Sequence, residues 1–210
     1  MAAILKKHNT IGCCGIDCGL CPRFNTDSLS ACPGCGGLNF REKHPSCGFI
    51  TCCVVKHGLE VCSNCKDYPC HRFENEHKGY DSFVSHKKVF TNLDFINENG
   101  IDCFLNLQKQ RMDILIDFLV KYNDGRSKGF YCIGCTLLPL DKLQELHRFM
   151  NSYEGNSDSK DKAKTLKGRM TEIADSLKIV LKLNSKKNVL SQKDASRNLA
   201  VVKSFKADIP

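Results

Sequence analysis

The chain has 210 residues, with 31 Lys and Arg against 23 Asp and Glu and a formal net charge of +8. Hydrophobic residues at 41% and charged residues at 26% exclude a disordered or membrane-embedded chain and fit one compact domain or two small ones. No apolar run approaches the roughly 18 residues of a membrane span, and MAAILKKHNT lacks the apolar centre of a secretory signal, so the sequence predicts a soluble, cytoplasmic protein.

Cysteine is the abnormal residue. There are 15, and twelve fall between Cys13 and Cys70. In a reducing compartment such a cluster points to metal rather than disulfides, and the odd total also argues against a closed disulfide set. Charge is unevenly placed as well: residues 1–120 carry 13 basic and 13 acidic side chains, residues 121–210 carry 18 and 10. Metal-bound thiolates would make the first half acidic against a basic second half.

In chain order, residues 13–70 show little periodicity and cannot bury a core that stands alone, so metal must supply much of their folding free energy. Pro69 suits a first helical turn, and a polar helix is expected from Phe73 to about Lys78, stopped by Gly79. Asp81 or Ser82 is expected to cap a helix that carries Phe83, Val84, Phe90, Leu93 and Ile96 and ends at Asn99-Gly100. Asp102 is expected to cap the next, whose stripe of Phe104, Leu107, Met112, Leu115, Phe118, Leu119 and Tyr122 ends at Asp124-Gly125. Pro139 opens a helix with Leu143, Leu146, His147 and Met150 on one face. Residues 153–161 read as an exposed loop. Ala163, Leu166, Met170, Ile173 and Leu177 make a last amphipathic helix, Ile179–Leu183 a short strand, and the remainder a loosely held tail.

The sequence therefore predicts an α+β, mainly α fold. An irregular metal-stapled half (1–78) packs on a small helical half with one short strand (79–187), and a tail follows (188–210).

The cysteines read Cys14-x3-Cys18-x2-Cys21, Cys32-x2-Cys35, Cys47-x4-Cys52 and Cys62-x2-Cys65-x4-Cys70. A C-x2-C pair places two sulfurs on one tight turn within reach of a single ion at about 2.3 Å, and two such turns complete a tetrahedron. Adjacent pairs with a short connection make Cys32, Cys35, Cys47 and Cys52 one closed site. Cys14, Cys18, Cys21, Cys62, Cys65 and Cys70 then hold one or two further ions, for two to three Zn2+ in all. His44, His57 and His71 are possible substitutes, although an isolated His in a polar loop is usually solvated.

Cys14-x3-Cys18-x2-Cys21 also matches the cluster triad of radical enzymes that use S-adenosylmethionine, but the strand and helix repeats of those barrels are missing. The runner-up is an iron–sulfur redox protein, because Cys21-Pro22 and Cys32-Pro33 are similar to ferredoxin junctions, although the C-x2-C-x2-C core is absent.

CGIDCGLCPRF at 14–24, CPGCGG at 32–37, Cys47 and Cys52 before Lys56, and CSNCKDYPCHRF at 62–73 together resemble the prokaryotic domain-of-unknown-function 3795 family. GRSKGFYC at 125–132, LLP at 137–139 and TEIADSLKIVLKL at 171–183 extend the resemblance over most of the chain, leaving out the first dozen residues and the tail. The resemblance implies a cysteine-rich, zinc-binding module followed by helices, with the ten spaced cysteines as the family set and Cys13, Cys53 and Cys135 as extras. It implies no established activity.

In GRSKGFYC, Gly125 is read as a helix cap, with Phe130, Tyr131 and Cys132 entering the core; cradling of an anion is the minor reading. Cys132 and Cys135 read as helical core. No paired carboxylates, phosphate loop or nucleophile triad is present, so no catalytic residue is assigned. A thiol at Cys13, Cys53 or Cys132 activated by cationic neighbours stays open. The expected function is metal binding that builds a surface for a protein partner. Nucleic acid is not an expected partner, because acids interrupt the lysines of 160–187 and the aromatics of the basic half lie on core stripes.

Overall fold

The structure is a computed structural model that describes residues 4–44, 46–76, 81–153 and 158–184. It is mainly helical. The helices are α1 (Phe40–Lys43), α2 (His71–Glu76), α3 (Val89–Asn99), α4 (Ile101–Lys121), α5 (Lys128–Leu137), α6 (Leu140–Ser152) and α7 (Ser159–Ser176). Tight 3-10 turns at Cys18–Leu20 and Cys62–Asn64 and a wide π-helical turn at Ile50–Lys56 punctuate the cysteine-rich part. No strand occurs among the described residues.

Two apolar cores are organised around α4. The first gathers Ile11, Phe40, Phe49, Ile50, Val61 and Phe73 with cysteines of the N-terminal half, and α3 adds Val89, Leu93 and Ile96. Phe104, on the first turns of α4, belongs to it too. The second gathers Ile114, Leu115 and Phe118 of α4 with Tyr131 and Cys135 of α5, Leu143 and Leu146 of α6, and Leu166 and Met170 of α7. Each helix supplies apolar residues three and four apart, so its stripe closes on its neighbours while its polar face stays in water.

Helix α4 follows the expected stripe, but Gly100 (φ 84) serves both the end of α3 and the start of α4, and Asp102 lies in the first turn. At its far end Tyr131 Oη donates to the carbonyl of Tyr122 (2.8 Å), which satisfies a carbonyl left over by the helix end. The loop to α5 is held by Asp124, whose carboxylate accepts from the Arg126 amide (2.9 Å), the Ser127 hydroxyl and Lys167 Nζ (3.0 Å). These bonds hold the Asp124 carboxyl well below the usual carboxylate range.

Three expected elements differ. The loop expected over 153–161 gives way to helix at Ser159, because the Asp158 carboxylate accepts from the Lys160 amide (3.1 Å) and caps α7. Residues 81–88 are not helical, and α3 begins at Val89. Asp81 is used for a long-range tie instead: its carboxylate accepts from the His86 amide (2.7 Å) and the Asn184 amide (2.7 Å), and its own amide donates to the Asn184 carbonyl (2.9 Å). Ile179–Leu183 forms no strand, because no neighbouring extended segment offers it a ladder. Lys178 is left-handed (φ 56), Ile179 and Leu181 pack against the second core, and Lys87 Nζ donates to the carbonyls of Val180 (3.1 Å) and Lys182 (3.5 Å). The expected end of the polar helix at Lys78 and the tail from 188 lie outside the described residues.

Candidate metal centre

The short segment before Cys13 organises the cysteine loops. Leu5 and Lys6 amides donate to the Gly36 carbonyl (2.7 and 3.4 Å), and the Cys35 amide donates to the Asn9 carbonyl (2.8 Å). The Lys7 and His8 amides donate to the two carboxylate oxygens of Glu60 (2.7 and 3.1 Å). The Cys62 amide donates to the Cys13 carbonyl (2.8 Å), so residues 5–13 run between the 33–36 loop and the 60–62 loop and pin both. Gly34 has φ 77, and a Cβ there would strike the Asn9 carbonyl, which is why this turn of the CPGCGG motif takes glycine. Gly15 (φ 91) meets the same limit against Val89 and Leu93 on α3.

Three groups of cysteines result. In the innermost, the Cys13 thiol lies 4.0 Å from that of Cys35, and Cys53 and Cys62 belong to the same buried cluster. All four are buried, at 1, 7, 4 and 8% exposure. The Cys13 amide donates to Cys35 Sγ at 3.4 Å. Hydrogen bonding with Cys35 pushes the Cys13 thiol up, and the same network pushes Cys35 and Cys53 down. The Lys6 ammonium, with a fully buried side chain, favours these two thiolates while donating to the Ile11 carbonyl (2.7 Å) and standing 3.9 Å from Glu60. A buried ammonium is costly unless anionic partners surround it.

The second group surrounds a cavity of about 320 Å3. Cys14, Cys18, Cys21, Cys32 and Cys47 border it, together with Cys13 and Cys35 from the inner group and the side chains of Arg23 and His44. Burial pushes the Cys14 thiol up to about 12 and raises Cys18 and Cys21 as well. The third group, Cys52, Cys65 and Cys70, borders a void of about 30 Å3 with Cys53, Cys62 and His57.

The grouping cuts across adjacency in the sequence. Cys32, Cys35 and Cys47 border one cavity while Cys52 borders another void, and Cys35 and Cys62 share the inner group with the two cysteines that the sequence reading set aside, Cys13 and Cys53. Each of those two is half of a doublet, Cys13-Cys14 and Cys52-Cys53. Within the wide turn at 50–56 Cys53 is buried in the first core and Cys52 is half-buried, and both border the void of the third group. The signal for them was the doublet itself, since a second cysteine beside each spaced one adds a sulfur to the same region. Cys132 and Cys135 lie on α5 inside the second core, and Cys103 is exposed.

Among the described residues no group of three or more His, Cys, Asp or Glu side chains is placed so that it could hold a metal ion. One pair of the inner group has the spacing a zinc ion asks for: sulfurs about 2.3 Å from a zinc ion are about 3.8 Å apart, close to the 4.0 Å between Cys13 and Cys35.

These features define a mainly helical, cysteine-rich protein. No family model, curated protein or solved structure matches the chain. No described helix is long and apolar enough to cross a membrane.

Proposed function

We propose that the N-terminal half is a metal–thiolate module in which zinc ties distant loops together and so builds a surface for a protein partner. The observation that carries this reading is the inner group: Cys13, Cys35, Cys53 and Cys62 come from four separate segments of the chain and lie in one buried core with a buried ammonium. Four thiolates around one divalent ion leave a charge near −2, which Lys6 partly offsets, and a closed four-sulfur site leaves no position for substrate. Such a site serves the fold, and the fold in turn presents the exposed side chains of the module. The resemblance of the cysteine motifs to the 3795 family supports the same reading, and a reducing, cytoplasmic location and a prokaryotic origin are part of what is proposed.

Nucleic acid has no place in it. On α7, Lys167 is paired with Asp124 and Arg169 with Glu172, and the Arg169 guanidinium lies over the Phe149 ring, so these cations are engaged within the protein.

One observation favours the iron–sulfur alternative for the second group. Seven cysteines border the 320 Å3 cavity, more than the four sulfurs that one zinc ion takes. Purification without oxygen, followed by elemental analysis and a visible spectrum, separates the two. The zinc reading predicts two to three zinc ions per chain and no colour; stoichiometric iron and sulfide with a broad band near roughly 400 nm would replace it with the iron–sulfur reading.

A further inference from the structure

We infer that the cavity between α3 and α4, above Asp17, is a binding site for a small organic carboxylate. Its volume is about 210 Å3, room for about seven waters, which suits a ligand well below drug size. Lys88 and Arg111 supply cations at its wall, Asn92 and Gln108 supply amides, and Phe95 and Leu107 supply apolar surface.

The charge balance of this wall points to an anion. Asp17 is buried, and both its oxygens are already engaged: Oδ2 accepts from Asn92 Nδ2 (2.8 Å) and Oδ1 from Gln108 Nε2 (3.0 Å). The same two amides also donate to the carbonyls of Gly15 (2.9 Å) and Thr10 (3.0 Å), so this cluster is a staple between the cysteine loops and the helices. Asp17 is thus held by neutral donors, and neither Lys88 nor Arg111 makes an ion pair among the described residues. Arg111 Nη1 donates to the carbonyls of Cys135 (2.8 Å) and Leu138 (2.7 Å) at the end of α5, which fixes the guanidinium plane. A fixed guanidinium and an unpaired ammonium, both half-buried, outnumber the single engaged carboxylate at the cavity wall. An incoming carboxylate restores the balance and takes the planar fork of Arg111, while the apolar wall favours an organic body over inorganic phosphate.

The inference is independent of the metal reading. It is tested on the full chain, at matched ionic strength, by thermal unfolding and titration calorimetry with sodium succinate, sodium benzoate and inorganic phosphate. The expected result is a saturable rise in Tm and a measurable binding heat with at least one of the two carboxylates below about 10 mM, with phosphate weaker. Lys88→Met weakens that binding by about tenfold or more, and Lys88→Arg retains it. If Lys88→Met does not fold, Thr91→Leu, a substitution at an exposed position on the cavity wall, is the second variant and is expected to lower the affinity by narrowing the cavity. The inference is overturned if neither carboxylate saturates, if phosphate binds more tightly, or if the folded Lys88→Met or Thr91→Leu protein binds as the natural one does.

Discussion

Cys13→Ala and Cys53→Ala are expected to damage the protein as severely as Cys35→Ala, although the sequence pattern sets the first two aside. Each removes one of four sulfurs that meet in the first core, and each leaves the partners of a buried thiolate network unsatisfied. A structural zinc site contributes on the order of 10 kcal/mol or more to folding, comparable with the whole stability of an ordinary domain, so loss of one ligand unfolds the cysteine-rich half. Cys135→Ala is the matched control, since Cys135 is equally buried but stands in the second core, where its replacement removes only packing, about 1 kcal/mol. Urea unfolding with zinc content measured on the same samples makes the comparison. Cys13→Ala and Cys53→Ala proteins that keep their zinc and unfold like Cys135→Ala would remove both residues from the site.

Phe118→Ala is expected to cost about 3–5 kcal/mol without loss of zinc. Phe118 has no exposed surface, and its ring packs against those of Tyr122, Tyr131 and His147, which come from the C-terminal cap of α4, the start of α5 and α6. The vacated volume cannot collapse easily, because α5, α6 and α7 are held around it by further fully buried residues such as Leu143, Leu166 and Met170. The cysteine loops belong to the other core and keep their metal. Denaturant unfolding combined with elemental analysis checks both parts. A loss below about 1 kcal/mol would show that the second core is not packed as described, and a loss of zinc would show that the two cores do not divide in this way.

Where one stripe decides burial, the sequence was enough. The spacing in α4, α6 and α7 is carried by residues three and four apart, and Leu115, Phe118, Leu143, Leu146, Leu166 and Met170 among them lie in the second core, while Phe104 joins the first. Gly100 and Pro139 also mark their helix ends as the sequence leads one to expect. Long-range partners left no such mark. Asp17 reads as one letter within CGIDC, yet it joins Asn92 on α3 to Gln108 on α4. The only local sign of that role is a glutamine sitting among the apolar residues of the α4 stripe. Residues 5–13 show no period, because the bonds of Leu5, Lys7, Asn9 and Cys13 run to loops more than twenty residues away. The strand expected at 179–183 failed for a related reason: β-branched and leucine residues there pack against helices, and an extended segment needs a neighbour that the fold does not provide. In the cysteine-rich half the residue type was legible but the pairing was not. Spacing groups neighbours along the chain, whereas the 50–56 turn and the N-terminal segment decide which sulfurs meet.

X-ray absorption on anaerobically purified protein tests the central claim most directly, because it reads the ligand atoms around the metal. The account predicts a zinc edge with a first shell of four sulfurs at about 2.3 Å, dominated by thiolates and lost on Cys13→Ala. An iron edge, a zinc shell of oxygen and nitrogen atoms, or an unchanged shell in Cys13→Ala would contradict it.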